Sequence, residues 1–189
     1  MIYEPEKDSF LLSKTLREIL PNLLRKKPNL TFLEIGAGSG IQLQTAIETG
    51  IKKENIFAAD INPAAVNHCK KRGFNCIKSN LFEKIVGKFD IIIFNPPYLP
   101  EDEKEPTDSK LATTGGKQGG EIVNKFLKSA KSHLNHQGMI LLLVSDLTKG
   151  INFKKIKLKV LAKEKIFFEE LKVLEIKYDK TNSLEKKIS

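Results

Sequence analysis

Short, almost continuously apolar runs alternate with longer stretches of helical periodicity, and this alternation narrows the possible folds more than any other feature. LTFLEIG (30–36), NIFAADI (55–61), FNCIKSN (74–80), FDIIIFN (89–95) and MILLLVS (139–145) each end at or just before a glycine or a polar residue. Runs this short, apolar on consecutive positions, predict strands covered on both faces. Between them, Phe10, Leu11, Leu12, Leu16, Ile19, Leu20, Leu23 and Leu24 recur at helical spacing. Helices are likewise predicted over 39–50, with Gly50 as C-cap, over Ala64 to Lys71 after Asn62-Pro63, and over Glu121 to Leu134. Such alternation gives a parallel sheet with helices on both faces. KIKLKVLAKEKIF and EELKVLEIKY, on either side of Phe168-Glu169, alternate with period two and predict an antiparallel pair closing one edge. The fold class is therefore α/β, a seven-stranded, mostly parallel sheet with an antiparallel C-terminal strand pair.

With 189 residues, 40% of them hydrophobic and 29% charged, the chain suits one domain, 1–189, with a real core. Two cysteines, Cys69 and Cys76, are too few for a disulfide framework or a four-cysteine zinc site, and no metal site is expected. The apolar runs are too short to cross a bilayer, and MIYEPEKDS has acids where a signal peptide needs an apolar core, so a cytoplasmic protein is expected. The net charge of +9 admits an acidic or nucleic-acid partner without requiring one. Residues 99–120, rich in Pro, Gly, Thr and charge, predict a loop of about 20 residues, a length that is usually functional or disordered. The last residues, KTNSLEKKIS, are expected to fray.

Three motifs carry chemistry. Glu34-Ile35-Gly36-Ala37-Gly38-Ser39-Gly40 lies where a strand gives way to a helix. Its G-x-G-x-G spacing, with an acid two residues before the first glycine, differs from the G-x-G-x-x-G dinucleotide fingerprint. A carboxylate at Glu34, at the carboxyl end of a strand, suits a cationic ligand group better than a pyrophosphate. Asp60-Ile61 ends the second strand about 20 residues later, where a carboxylate can accept both ribose hydroxyls; Asp60 can also cap the helix that Asn62-Pro63 opens. Asn95-Pro96-Pro97-Tyr98 follows FDIIIF directly. Two prolines fix the backbone and remove two N–H donors. The carbonyls left free, an amide oxygen and an aromatic ring suit a planar –NH2 group: Asn95 Oδ1 and the Pro96 carbonyl accept its two hydrogens and Tyr98 covers its flat face.

Glu34-x-Gly36-x-Gly38-x-Gly40, Asp60 and Asn95-Pro96-Pro97-Tyr98, in this order, resemble the class I S-adenosylmethionine-dependent amino-methyltransferases, with their Rossmann-like fold. Tyr3-Glu4-Pro5-Glu6-Lys7-Asp8-Ser9-Phe10-Leu11-Leu12, Gly115-Gly116-Lys117-Gln118-Gly119 and Phe167-Phe168-Glu169-Glu170-Leu171 resemble the short HemK-like glutamine methyltransferases of archaea and eukaryotes. The likeness runs from about residue 2 to about residue 178. It implies that Glu34 and the glycines hold the methionine end of S-adenosylmethionine, that Asp60, with Ile61 beside it, takes the ribose, that Ser9 reaches the cofactor carboxylate, and that Asn80-Leu81 meets the adenine. Asn80 stands where that family usually has Asp, so it can accept a hydrogen bond but carries no charge. The helix expected before the last two strands looks shortened to about Asp146–Lys155.

The resemblance implies S-adenosylmethionine as cofactor, S-adenosylhomocysteine as product, and methylation of the glutamine in the Gly-Gly-Gln motif of a class I peptide release factor. Residues 99–120 would grip that substrate. It also implies a heterodimer with a small zinc-binding activator, paired along the edge strand near Phe74–Lys78, where exposed apolar residues would make the free protein poorly soluble. Asn-Pro-Pro-Tyr serves any planar –NH2, so N6-adenine methylation of DNA or RNA stays open; the resemblance also admits protein lysine methylation, which this motif explains less well, and a non-enzymatic cofactor-binding subunit would be marked by loss of Asn95 or Gly38, both of which are present. Residues 149–187 hold 12 lysines against six acids; their alternation also fits the solvated face of two strands. A base methyltransferase must in addition flip its target, and the sequence leaves no room for a separate recognition region.

Overall fold

The computed structural model of the chain describes residues 2–101, 106, 113–154 and 156–178. The strands are β1 (Phe32–Ile35), β2 (Ile56–Asp60), β3 (Asn75–Lys78), β4 (Phe89–Phe94), β5 (Leu99–Pro100), β6 (Thr114–Gly116), β7 (Leu134–Ser145), β8 (Ile156–Ile166) and β9 (Glu169–Tyr178). Among the described residues the helices are α1 (Lys7–Lys26), α2 (Ile41–Glu48), α3 (Pro63–Lys71) and α4 (Glu121–Ala130). Seven strands form one sheet in the order β3-β2-β1-β4-β7-β9-β8. β1 through β4 and β7 are parallel, and β9 runs antiparallel to both β7 and β8.

The consecutive apolar residues of the central strands feed two cores. Ile91 and Ile93 of β4 and Leu141 and Leu143 of β7 point to the face covered by α1, α2 and α3, where Leu12, Leu16, Leu43 and Cys69 are fully buried. Ile92, Phe94, Ile140 and Leu142 point to the other face, against Val123 and Phe126 of α4. This is the period-two alternation of a pleated strand with both faces dry. α1 is held to α2 by a buried Ser13–Thr45 hydroxyl pair at 2.7 Å as well as by packing. Both cysteines are buried and free.

Three sequence expectations change. α4 ends at Ala130 in a 3-10 turn over Lys131–His133, and β7 begins at Leu134, five residues before the apolar run itself. The ladder between β4 and β7 shifts register between Phe89 and Ile91, and Gln137 adopts φ 65° there, so a polar stretch joins the strand through an irregularity. The helix expected over 146–155 is absent from the described residues 146–154, and Lys155 lies outside them. That segment spends its hydrogen bonds on other elements: Thr148 Oγ1 donates to the Tyr98 carbonyl at 3.0 Å, Lys149 N–H to the Gln118 carbonyl at 2.8 Å, and the Asn124 side chain to the Gly150 carbonyl at 2.8 Å. The ends of the predicted 99–120 loop pair with each other, Leu99 with Thr114 and Pro100 with Gly116. The expectations for 102–105, 107–112 and the tail after 178 fall outside the described residues.

Candidate active site

The carboxyl ends of β1, β2 and β4 open into a cavity of about 400 Å³. Register explains why these three ends meet: Ile35 lies level with Ala59 of β2 and Phe94 of β4, so Gly36, Asp60 and Asn95 are the next residues out of adjacent strands. Gly36 and Gly38 line the cavity, together with Ser9, Glu34, Asp60, Ile61, Asn80, Leu81, Asn95, Pro96 and Pro97. Gly38 has φ 50°, and a methyl group built on it would meet nothing within 4 Å. Backbone and open space are therefore all that this turn presents, as close approach by a ligand requires. Gly40 and Tyr98 are not among the lining residues. Gly40 sits just before α2, where Arg72 and Cys69 face it, and Tyr98 is half-buried against the α1–α2 side of the core.

Glu34 is only 3% exposed, and its Oε2 has no hydrogen-bond partner. Burial, with the Cys69 and Asp60 groups nearby, drives its carboxyl well above the usual range, against a backbone hydrogen bond from Leu43. An unpaired buried carboxylate is costly unless a cation meets it. Asp60 is occupied differently: Oδ2 accepts from Gly38 N–H and Oδ1 from Asn62 N–H, both at 2.8 Å. Its pKa is raised by burial, against those backbone donors. The cap of α3 is Asn62, whose Oδ1 accepts from Ala64 N–H, so Asp60 serves the glycine turn rather than the helix. The Ile61 N–H also reaches this carboxylate, and a carboxylate with three backbone donors still has acceptor capacity for a hydroxyl.

At the end of β4 the Asn95 amide has a fixed orientation. Its Nδ2 donates to Asp8 Oδ2 at 3.1 Å, and its Oδ1 is buried without a partner at the cavity wall. A carboxylate can only accept, which settles which end of the amide is nitrogen. Asp8, 4% exposed, is itself held by the Tyr3 hydroxyl at 3.1 and 3.2 Å and by Ser9 N–H. Burial, followed by the Asp8 charge, raises the Tyr3 phenol far above its ordinary pKa and keeps it a donor. Behind Asn95, the 114–119 segment packs directly on the Pro-Pro-Tyr backbone. A methyl group on Gly115 would lie 2.5 Å from the Pro97 carbonyl oxygen, so only glycine permits this approach.

Asn80 donates through Nδ2 to Glu83 at 2.7 Å, which leaves its amide oxygen for a ligand. Ser9 is buried in the first turn of α1, and its carbonyl accepts from Gln42 Nε2 at 2.8 Å. Tyr3, Asp8 and Gln42 also line the cavity, and sequence reasoning did not assign them individually. Tyr3 and Asp8 lie within the N-terminal segment that carried the family resemblance, which was their only signal. These residues fit S-adenosylmethionine. A buried orphan carboxylate oxygen suits an ammonium, a second carboxylate can accept from a ribose, and an orphan amide oxygen stands just beyond the end of β4. Among the described residues, no group of three or more His, Cys, Asp or Glu is placed to hold a metal.

The methyltransferase small domain model matches residues 13–167. A Methanocaldococcus jannaschii protein named as a candidate protein N5-glutamine methyltransferase is 39% identical over 92% of this chain and 90% of its own length. The mouse methyltransferase HEMK2 is 29% identical, over 75% of this chain and 70% of its own. The Agrobacterium fabrum release factor glutamine methyltransferase is 33% identical over 61% of this chain but only 45% of its own length, so the chain spans about half of that bacterial relative. In fold, the Mtq2 complex with Trm112 from E. cuniculi, described as methylating the termination factor eRF1, gives a TM-score of 0.67 at 20% identity, covering 94% of this chain and 99% of the other. Motif order, cavity geometry and these matches converge, and the chain belongs to the methyltransferase small domain family.

Proposed function

We propose that this enzyme uses S-adenosylmethionine to methylate the side-chain amide nitrogen of a glutamine in a class I peptide release factor, within its Gly-Gly-Gln motif. The observation that carries the chemistry is the Asn95 amide, a cavity-lining side chain whose nitrogen is tied to Asp8 and whose Oδ1 is buried without a partner. The choice of protein substrate rests on the relatives named for glutamine methylation.

The cofactor supplies an electrophilic methyl group on a sulfonium, and this chain's residues do the rest. Glu34 and the glycine turn hold the methionine end, Asp60 the ribose, and Asn80 and Leu81 the adenine side. Asn95 Oδ1 and the Pro96 carbonyl accept the two hydrogens of the substrate –NH2. An amide nitrogen is a poor nucleophile because its lone pair is delocalised. Two acceptors at its hydrogens would orient it and stabilise the positive charge that would develop as the N–CH3 bond forms and the sulfonium S–CH3 bond breaks to leave the thioether, one of the two N–H protons then passing to water. Orientation of this kind supplies about 7–11 kcal/mol of a barrier. Tyr98, outside the lining residues, contributes by fixing the turn through its carbonyl, which Thr148 Oγ1 holds. The partner in this scheme is a small activator protein seated along β3, the edge of the sheet next to β2 and opposite β8.

The decisive experiment incubates the protein, with and without such an activator, with methyl-labelled S-adenosylmethionine and either a release factor or its Gln→Ala variant, with DNA and RNA oligonucleotides in parallel. Label on the release factor and none on the variant is the expected result. Label on nucleic acid alone reverses the assignment.

A further inference from the structure

Gln42, in the first turn of α2, is 2% exposed and lines the cavity. Its Nε2 donates to the Ser9 carbonyl at 2.8 Å, and a carbonyl only accepts, so the amide is fixed with its oxygen on the other side. That oxygen, Oε1, is buried and has no partner. A buried unpaired acceptor is costly, and this one lies on a cavity-lining residue, as do the orphan acceptors Glu34 Oε2 and Asn95 Oδ1. Gln42 and Glu34 are neighbours through the chain, because the Glu34 carboxylate receives the backbone N–H of Leu43, the residue after Gln42. A neutral acceptor and a carboxylate together cannot welcome a ligand carboxylate or phosphate. They suit a group with several N–H donors and a positive charge.

We infer that Gln42 Oε1 is a second acceptor for the α-ammonium of the cofactor's methionine moiety, acting beside Glu34. The inference rests on the assignment of this cavity to S-adenosylmethionine. It assigns Gln42 two tasks: its nitrogen ties the start of α1 to α2 over the site, and its oxygen selects a ligand that carries a protonated amine. Ligands with the same nucleoside and sulfur but no amine lose this contact.

Calorimetric titration with S-adenosylhomocysteine and with its desamino analogue separates the two tasks. Gln42→Met removes both the donor and the acceptor at nearly constant volume. It is expected to weaken S-adenosylhomocysteine about tenfold, the scale of a hydrogen bond to a charged group, while the desamino analogue, already weak on the wild type, changes less than about twofold. Gln42→Glu, protonated in this buried setting, keeps one donor and one acceptor and is expected to restore S-adenosylhomocysteine binding to within about threefold of wild type. Equal losses for both ligands, or no loss, overturn the inference. A readout on the unaltered protein covers the case of a poorly folding variant. The chain has four glutamines, so side-chain carbonyl labelling gives a short spectrum. The Gln42 resonance should move with S-adenosylhomocysteine and stay in place with the desamino analogue; identical shifts with both overturn the inference. A wild-type protein that binds neither ligand overturns the cofactor assignment itself.

Discussion

Asp8 and Asn95 are 87 residues apart in sequence and one hydrogen bond apart in space. Asn95 was legible from its motif, since an amide before two prolines at a strand end has few other uses. Asp8 was not: an acid in the first turn of an amphipathic helix equally complements the helix dipole, and only the folded chain shows it turned inward. The two residues predict different defects. Asn95→Ala removes the acceptor and is expected to abolish transfer while binding S-adenosylhomocysteine within about tenfold of wild type, a neutral hydrogen bond being worth no more than that. Asp8→Ala leaves the acceptor present but free to rotate. It is expected to lower kcat about a hundredfold, as small misplacements do, with cofactor affinity retained; wild-type turnover in single-turnover assays would remove Asp8 from this role. Glu34 makes a prediction in stability. Its carboxyl is raised in the folded state by burial, so it favours folding below the unfolded carboxyl pKa, and that contribution is lost as pH rises through the raised value. The ligand-free protein should therefore lose thermal stability on that limb. Glu34→Gln, neutral throughout, should gain about 1 kcal/mol at pH 8, or about 2–4 °C in Tm, and lose most of the stabilisation that S-adenosylhomocysteine gives the wild type. A variant that is less stable than wild type at pH 8 would contradict this account.

The elements themselves were readable where one physical cause dominates. Apolar runs on consecutive positions became β1, β2, β4 and the apolar end of β7 because both faces of the sheet are covered, and the alternating tail became β8 and β9. The 146–154 stretch was not readable as irregular structure. Its backbone bonds to Gln118, Glu170 and Asn124 and its Thr148 hydroxyl to the Tyr98 carbonyl, all residues remote in sequence, and Gly150 at φ 74° interrupts any helix. Together with 114–119 it forms a brace behind the Pro-Pro-Tyr turn, joined by the Gly119–Lys149 bridge. This brace predicts the outcome of Gly115→Ala. The added methyl would lie 2.5 Å from the Pro97 carbonyl oxygen, against backbone that cannot yield as a flexible side chain does. Methyl transfer is expected to fall by about a hundredfold or more through displacement of the turn. The glycine loop and Asp60 are untouched, so titration should show S-adenosylhomocysteine affinity within about threefold. Parallel loss of both would mean that the segment supports the cofactor side of the cavity instead.

For the whole molecule, the arrangement of charge and sheet edges matters more than the total of +9. The lysine-rich β8 is the edge farthest from β3, with β9 and β7 between it and β4. Lys159, Lys163 and Lys165 are exposed along it, as expected of an edge strand that must resist pairing with other chains. Lys159→Glu with Lys165→Glu is thus expected to leave release-factor methylation within about twofold; a steep loss that depends on salt would instead mark a polyanion-binding surface. The opposite edge is built otherwise. β3 has four residues, with Asn75 and Lys78 exposed and Cys76 buried, and none of the large exposed hydrophobics lies on the strand itself. The nearest in sequence, Ile61 and Val86, follow β2 and precede β4. The apolar exposure expected along this edge is therefore small, and an activator would bind there through backbone pairing, which needs no apolar strand face. Hydrogen exchange tests this directly. With a small partner of the Trm112 type added, amides of 75–78 should become protected while those of 156–166 keep their rates. Protection confined to β8, or co-elution with no change on β3, would move the partner to another surface.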